Sequence, residues 1–364
     1  MSKEIRRAFY NAGRAINNFF FWVPKATKHF FEETPSSLAH FKSWLLSFRG
    51  GLTVVSLIVL MLIPAFIQLD YYMSILIDAL IFAILAASWD FLAGVAGQVS
   101  FGHAGFFGLG GYLTAIYFKY SGYPWPLALL VGAIIALLFG LLIGVLCLRL
   151  KGPYFALGTL AFALILNLLF TMDDFPYGGT DGISWTTSIA PNKVIIFFIM
   201  LGFMLLTFVF LHAVVSSRTG TILKSIRDDE TCAGASGINT TKYKLLAIAI
   251  SAFFAGLAGA IYVLFYKGVN PAVYGANWSF YAIIMAALGG ISTISGAIIG
   301  AFFFVILRLI LTDYLNILLP FINENWALAI FSLILVGVIL AAKQGIMNPI
   351  IDNLKKLYDL TRRR

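Results

Sequence analysis

Few side chains in this sequence are equipped for chemistry, and they are not grouped as a catalyst requires. The four histidines, His29, His40, His103 and His212, form no HExxH pair, and no Cys/His cluster has zinc spacing. No GxSxG turn presents a serine nucleophile, and no GxxxxGK[ST] loop cradles phosphates, so ATP is not bound by that device. Without a polar catalytic cluster the chain reads as a non-enzyme. What remains is hydrogen bonding inside an apolar protein. Gln98, Ser100 and His103 open an apolar stretch within the glycine-rich run 94–112. Glycine costs about 1 kcal/mol in a helix interior relative to alanine. Such a run suits a bent or interrupted helix whose backbone lines a cavity. With Gly105, these residues are candidates for the path of a polar solute; bonding between neighbouring helices would employ them equally well. Asp78 lies inside another apolar stretch, where an acidic residue costs ~2.5–3.5 kcal/mol on insertion scales. It is either a partner for a coupling ion or a substrate amine, or an interfacial residue if its span begins later. Asp90, near the end of the same stretch, needs less explanation.

The elements that hold these residues are set by the solvent. The chain has 364 residues, 60% hydrophobic and 11% charged, with mean hydropathy +0.92; soluble domains carry about 25% charged residues. So few charges cannot build a surface against water, and lipid is the alternative. Crossing a bilayer takes roughly 20 apolar residues. Stretches of that kind lie at 52–69, 71–92, 98–118, 125–148, 153–171, 194–215, 245–266 and 326–342. The stretch 278–311 would span about 50 Å as one helix, and its middle, Gly289-Gly290-Ile291-Ser292-Thr293-Ile294-Ser295-Gly296, is poor helix. Split in two, or folded as re-entrant half-helices, it suits the charges. The reading is an all-α polytopic transmembrane bundle of about ten spans with glycine-rich broken or short helices.

Net charge is +9, but the basic residues gather at the N-terminus, in one central loop and at the C-terminus. That is the pattern of cytoplasmic segments rather than of a nucleic-acid surface. With ten spans both termini are cytoplasmic, as is the loop 216–244 with Arg218, Lys224, Arg227, Lys242 and Lys244. Residues 1–50 form a basic, aromatic segment suited to an anionic membrane face, 51–342 the membrane domain, and 343–364 a basic tail. Cys147 and Cys232 both fall at or near the cytoplasm, so no disulfide framework is expected. Small residues recur at Ala104, Gly108, Gly111 and Ala115, at Ala247, Ser251, Ala255 and Gly259, and at Ser292, Gly296 and Gly300, a spacing that lets helices approach closely in lipid.

Two loops stand out. Residues 221–236 read as one short helix with Ile222, Ile226 and Ala233 on one side and Lys224, Arg227, Asp228, Asp229 and Glu230 elsewhere; Gly237 suits the position just past its end. A short helix exposed at the cytoplasmic face is what a soluble motor can grip. The extracytoplasmic loop with Gly179, Thr180 and Asp181 reads as a mobile, acidic segment, a candidate contact for a substrate-delivering protein.

The run Ala96-Gly97-Gln98-Val99-Ser100-Phe101-Gly102-His103-Ala104-Gly105-Phe106-Phe107 resembles the signature of the branched-chain amino acid ABC importer permeases of the LivM kind. Leu148-Arg149-Leu150-Lys151-Gly152-Pro153-Tyr154-Phe155-Ala156-Leu157, Gly178-Gly179-Thr180-Asp181-Gly182-Ile183 and the region 217–259 resemble the family's cytoplasmic turn, outer loop, and long loop with following helix. The four agree in order between about residues 50 and 311. The N-terminal segment is not part of the match, and Ala341-Ala342-Lys343-Gln344-Gly345-Ile346 departs from the family's usual ending. ABC importer permeases carry Glu-Ala-Ala-x-x-x-Gly in the coupling loop; here Thr231-Cys232-Ala233-x-x-x-Gly237 follows Glu230, one place early.

The resemblance implies a permease subunit in the bacterial inner membrane. It would work with a homologous second permease, cytoplasmic ABC ATPase subunits that carry the ATP, and an extracytoplasmic substrate-binding protein, with no cofactor on this chain. It implies leucine, isoleucine or valine as substrate; similar permeases carry urea, short amides or other amino acids. An ion-coupled secondary transporter, working alone with an essential Asp78, is the rival from another class.

Overall fold

The computed structural model describes residues 69–310, apart from 123, 148–149, 151 and 173–178, together with the isolated positions 61, 62, 64, 333, 337 and 345. The expected N-terminal segment, and all but those few positions of the spans 52–69 and 326–342 and of the tail, lie outside the described residues.

Ten α-helices are described: α1 (Asp70–Asp90), α2 (His103–Tyr120), α3 (Trp125–Cys147), α4 (Pro153–Thr171), α5 (Lys193–Ser216), α6 (Arg218–Asp228), α7 (Glu230–Ala235), α8 (Thr240–Tyr266), α9 (Ala276–Gly289) and α10 (Ile294–Leu309). Local chemistry sets several starts. Pro153, which lacks the N–H that a first helical position leaves unpaired anyway, opens α4. The Asn192 and Asn239 side chains accept from the Val194 and Lys242 N–H groups to cap α5 and α8. Two strands of two residues, β1 (Ile183–Ser184) and β2 (Gly268–Val269), pair antiparallel with Ile183 opposite Val269.

The surface is turned inside out relative to a soluble protein. On α3, Leu127, Leu130, Ile134, Leu138, Leu142 and Leu146 are exposed, while Gly132, Ala133, Ala136, Gly140 and Gly144 face inward. A leucine stripe of this kind is stable against lipid, not water. Five described spans are long and apolar enough to cross a membrane: α1 with its π-helical extension to Val95, α3, α4, α5 and α8.

Helix α8 lies along α2 and α3, and α1 packs on α5, α8 and α10. The small-residue positions sit at these seams. A Cβ on Gly110 of α2 would strike the Gly256 carbonyl of α8, and one on Gly256 would strike Ala136 of α3, so the three backbones meet where only glycine or alanine fits. The 278–311 stretch is indeed two helices: α9 and α10 meet at a four-residue break, and their axes turn by 111°.

The hydrogen bonds and cavity linings sort the helix ends. One end, called basic below, collects the end of α1, the start of α2, the α3–α4 turn, α6, α7, the start of α8 and the α9–α10 break. The isolated Gly345 is also there, against Gly290. The opposite end holds the starts of α1 and α5, bridged where Lys193 Nζ donates to the Asp70 carbonyl at 3.0 Å, together with β1 and β2.

Candidate functional site

At the basic end α1 does not stop at Asp90 but widens into a π-helical turn, Phe91–Val95, before the chain leaves helical geometry. Residues 97–102 form an irregular linker, so α2 begins at His103 rather than at Gln98 as expected. Gly97 takes φ 71°, and a Cβ there would sit 2.6 Å from Arg227 Cγ. Both the left-handed conformation and the close approach require glycine.

Arg227, the penultimate residue of α6, is the hub. Its Nη1 donates to the Gly94 carbonyl at 2.8 Å and to Ser292 Oγ at 2.9 Å. Its Nε and Nη2 donate to Asp228 Oδ1 at 3.1 and 3.0 Å. Ser292, at φ 70°, is one of two non-glycine residues among those described with positive φ. Its N–H donates to Asp90 Oδ1 at 2.6 Å. Asp90 is completely buried. One guanidinium thus joins a surface helix to the π turn of α1 and to the α9–α10 break. Glu230 forms a second anchor, 2.6 Å from Lys244 Nζ at the start of α8.

The surface segment itself is a correction to the sequence expectation. Residues 221–236 are not one helix: α6 ends at Asp228, Asp229 is extended (φ −154°, ψ 107°), and α7 starts at Glu230. Asp229 breaks the helix because its side chain does the capping: Oδ1 accepts from the Thr231 and Cys232 N–H groups at 2.8 and 2.9 Å. The Cys232 N–H, then its thiol and the Thr231 N–H, hold the Asp229 carboxyl below its ordinary range. The same bond to Asp229, with its charge, pushes the Cys232 thiol up. Gly237, at φ 84°, closes α7 as expected. Its N–H bonds the Gly234 carbonyl, and that of Ile238 the Ala233 carbonyl, at 3.0 and 3.2 Å, a Schellman ending. Leu223, Ile226 and Ala233 are buried beneath the hairpin, with Leu223 rather than Ile222 completing that face. Asp228, Asp229, Glu230 and Gly237 are exposed.

The remaining sequence candidates divide. Gln98 and Gly97 line a cavity of 680 Å³ between the hairpin and the α3–α4 turn, with Pro153, Ile226 and Lys244 also on its wall. Ser100 is buried; its carbonyl accepts from Trp89 Nε1 at 2.7 Å and its hydroxyl from the Gly102 N–H at 3.2 Å. His103 is fully enclosed, with Nε2 at 2.8 Å from Ser251 Oγ. Ser251 gives its one proton to the Ser88 carbonyl at 2.7 Å, so His103 Nε2 is the donor and the ring ties α2 to α8 and α1. Gly105 lets Phe162 and Ala163 of α4 approach, 3.0–3.3 Å from where its Cβ would stand. Ser100, His103 and Gly105 therefore hold helices together and line neither cavity.

At the opposite end, both Asp78 oxygens accept from the Tyr266 hydroxyl, at 2.8 and 2.7 Å. Asp78 lies on a second cleft, of 460 Å³, with Arg308 of α10 on the same wall. The described part of the loop after α4 is tied at two points. Gly179 is buried and donates to the Phe170 carbonyl at 3.0 Å, and β1 clips onto β2 just beyond Asp181. Thr180 and Asp181 remain exposed. Reading the sequence missed Arg308, Tyr266 and Ser292. A basic residue within an apolar run was the available signal for Arg308; for Ser292 there was only its place in the glycine-rich break.

A bundle of apolar helices long enough to cross a bilayer, carrying a polar joint at one end and a charged cleft at the other, is a multi-pass membrane protein. The sequence model of the family described as branched-chain amino acid transport system / permease component matches residues 71–341, and the chain belongs to that family. The match runs past residue 311, where the ordered motifs end. The chain is 26% identical over 295 residues to the high-affinity branched-chain amino acid transport system permease protein LivM of Escherichia coli (strain K12), covering 73% of this chain and 69% of the relative. It is 26% identical over 264 residues to LivM of Salmonella typhimurium, covering 65% of this chain and 62% of that one. The permease protein LivH of Escherichia coli (strain K12) is 30% identical over 133 residues, covering 36% of this chain and 42% of its own length. No solved structure matches.

Proposed function

We propose that this chain forms the translocation path of an ABC-type importer for branched-chain amino acids in a bacterial cytoplasmic membrane. In this reading the basic end faces the cytoplasm, the chain makes about ten crossings, and both termini are inside. A homologous second permease stands beside it, as the separate names LivM and LivH suggest. Soluble ATPase subunits dock on the 217–237 hairpin and carry the ATP, and a binding protein delivers substrate near Thr180 and Asp181. No cofactor is held by this chain.

The observation that supports this most is the inward grip of Arg227. A motor that displaces the exposed hairpin moves α1 and the α9–α10 break through one guanidinium, and α8 through Glu230. Force applied outside the bilayer thereby reaches helices that cross it, which is what alternating access requires.

Coexpression with the ATPase subunits of its own system tests the reading. The ATPase copurifies in mild detergent with the wild type and is lost when 221–237 is deleted. Arg227→Ala retains the ATPase but lowers ATP-driven leucine uptake in proteoliposomes at least tenfold. The loss of hydrogen bonds to a charged group, about 1.5–3 kcal/mol each, exceeds the ~1.4 kcal/mol that a factor of ten represents. Uptake by this chain alone, driven by an ion gradient, would sink the proposal.

A further inference from the structure

At the end of the bundle away from the hairpin, α1, α8, α9 and α10 enclose the 460 Å³ cleft that holds Asp78 and Arg308. Small-molecule sites measure roughly 300–1,000 Å³. The two charged residues stand at the same level of the bundle. Asp78 is twelve residues, about 18 Å, back along α1 from Asp90, and Arg308 is about 21 Å along α10 from its start at the Ser292 joint. Tyr266 bonds both oxygens of Asp78, which fixes the plane of the carboxylate and leaves its charge in place. Aromatic rings make up much of the remaining wall, beside Ile75, Asn277, Val305 and Leu309. Trp278 stacks on Phe82 at 5.6 Å between centroids, Tyr262 meets Trp278 edge-on at 5.0 Å, and Tyr262 lies 4.5 Å from Tyr266.

Opposite charges on helices that cross lipid are costly unless they face a partner or a water-filled space. Here they line one space together, and its chemistry matches a solute that bears both charges. We propose that this cleft is a subsite for a zwitterionic α-amino acid. Asp78 takes the ammonium group, with the tyrosine faces adding cation–π attraction. Arg308 takes the carboxylate with its planar fork. Phe82, Trp278 and Tyr262 receive the apolar side chain. Urea and short amides carry neither charge and match neither residue, so the cleft selects amino acids over those solutes. The subsite rests on the transport function proposed above, and it adds Arg308 and the aromatic wall as specificity residues.

The test uses the complete transporter in proteoliposomes: this chain, the second permease, the ATPase subunits and the binding protein. Leucine uptake and ATP hydrolysis are measured together. Asp78→Asn and Arg308→Gln each lower the leucine moved per ATP hydrolysed at least tenfold, and Asp78→Glu and Arg308→Lys recover part of it. A defect of folding lowers uptake and hydrolysis in step and leaves the ratio unchanged; that result, or wild-type uptake by both neutral variants, overturns the subsite while the transport function stands. Where a neutral variant does not assemble, the glutamate and lysine variants carry the same ratio: lowered about threefold if head-group geometry is read, unchanged if the subsite is wrong. A wild-type complex that moves no α-amino acid overturns the transport function and the subsite with it.

Discussion

At the basic end, charged groups are spent on the chain itself: Arg227 reaches Gly94, Ser292 and Asp228, Asp90 holds the Ser292 N–H, and Glu230 holds Lys244. In the cleft at the other end, Asp78 and Arg308 line a space of 460 Å³, with a tyrosine hydroxyl steadying the carboxylate. The first arrangement joins elements far apart in sequence, with bonds already made between them beside the 680 Å³ cavity. In the second, a carboxylate held by one hydroxyl shares the wall of a cleft with a guanidinium. A joint transmits displacement through bonds between elements, whereas a binding site presents its charges to a solute. The same helices, α1 and α10, pass through both, so a movement applied at one end reaches the other along rigid rods.

The comparison breaks first at Asp90. Asp90→Ala removes the acceptor of the part-buried Ser292 N–H, and an orphaned donor costs up to about 1–3 kcal/mol. The left-handed backbone of Ser292, itself unfavourable by roughly 1–2 kcal/mol, then loses what holds it. The purified protein should melt several degrees lower in detergent. Asp90→Asn keeps an acceptor of the same shape and should stay near wild type. Equal behaviour of the two variants would show that the α9–α10 break is held by something other than this bond.

Tyr266→Phe should have the opposite profile. Tyr266 is half exposed, and a hydroxyl bond is worth only about 0.5–1.5 kcal/mol net, so the melting temperature should barely move. Leucine uptake should fall a few-fold, because the carboxylate loses its fixed plane. A large loss of stability with normal uptake would make the cleft a structural joint like the other end and erase the contrast.

Much of the architecture was legible in the sequence because it depends on local composition. The glycine-rich break at 289–296, the close-packing small residues of α2 and α8, and Gly237 as a helix ending follow from what one residue type permits. The joint was not legible in the same way. Arg227 looked like one more cation on a solvated helix, and its contacts with Gly94 and Ser292 span 133 and 65 positions. Asp78 was visible as a charge in an apolar run, but its cleft needed Arg308, which no periodicity places beside it. Gln98, Ser100 and His103 stood out for the right physical reason, polarity in an apolar run. The fold then used Ser100 and His103 to satisfy buried groups of neighbouring helices, and the irregular linker 97–102 turned Gln98 toward the hairpin cavity. The division of the hairpin was within reach, since an aspartate two and three residues ahead of free N–H groups is a cap; the charged run Asp228-Asp229-Glu230 read instead as a solvated helix face.

The smallest expected effect tests whether that cap persists in solution. Of the two cysteines, Cys147 is buried and Cys232 exposed, so alkylation of the intact protein reports on Cys232. Its thiol is raised by the bond to Asp229, which lowers the thiolate fraction at neutral pH and slows reaction. Asp229→Asn removes the charge, the thiol pKa falls toward its ordinary value, and iodoacetamide should react a few-fold faster at fixed pH. The carboxyl of Asp229 is itself shifted down. Its capping contribution is therefore complete above the ordinary aspartate value of about 3.9 and is lost only as pH falls through the lower folded value. Across the neutral and mildly acidic range the wild-type thiol should accordingly titrate as one group next to a fixed negative charge. Identical rate–pH profiles for wild type and Asp229→Asn would mean that α7 is not capped as described, and that the hairpin offered to a motor is looser than the joint beneath it.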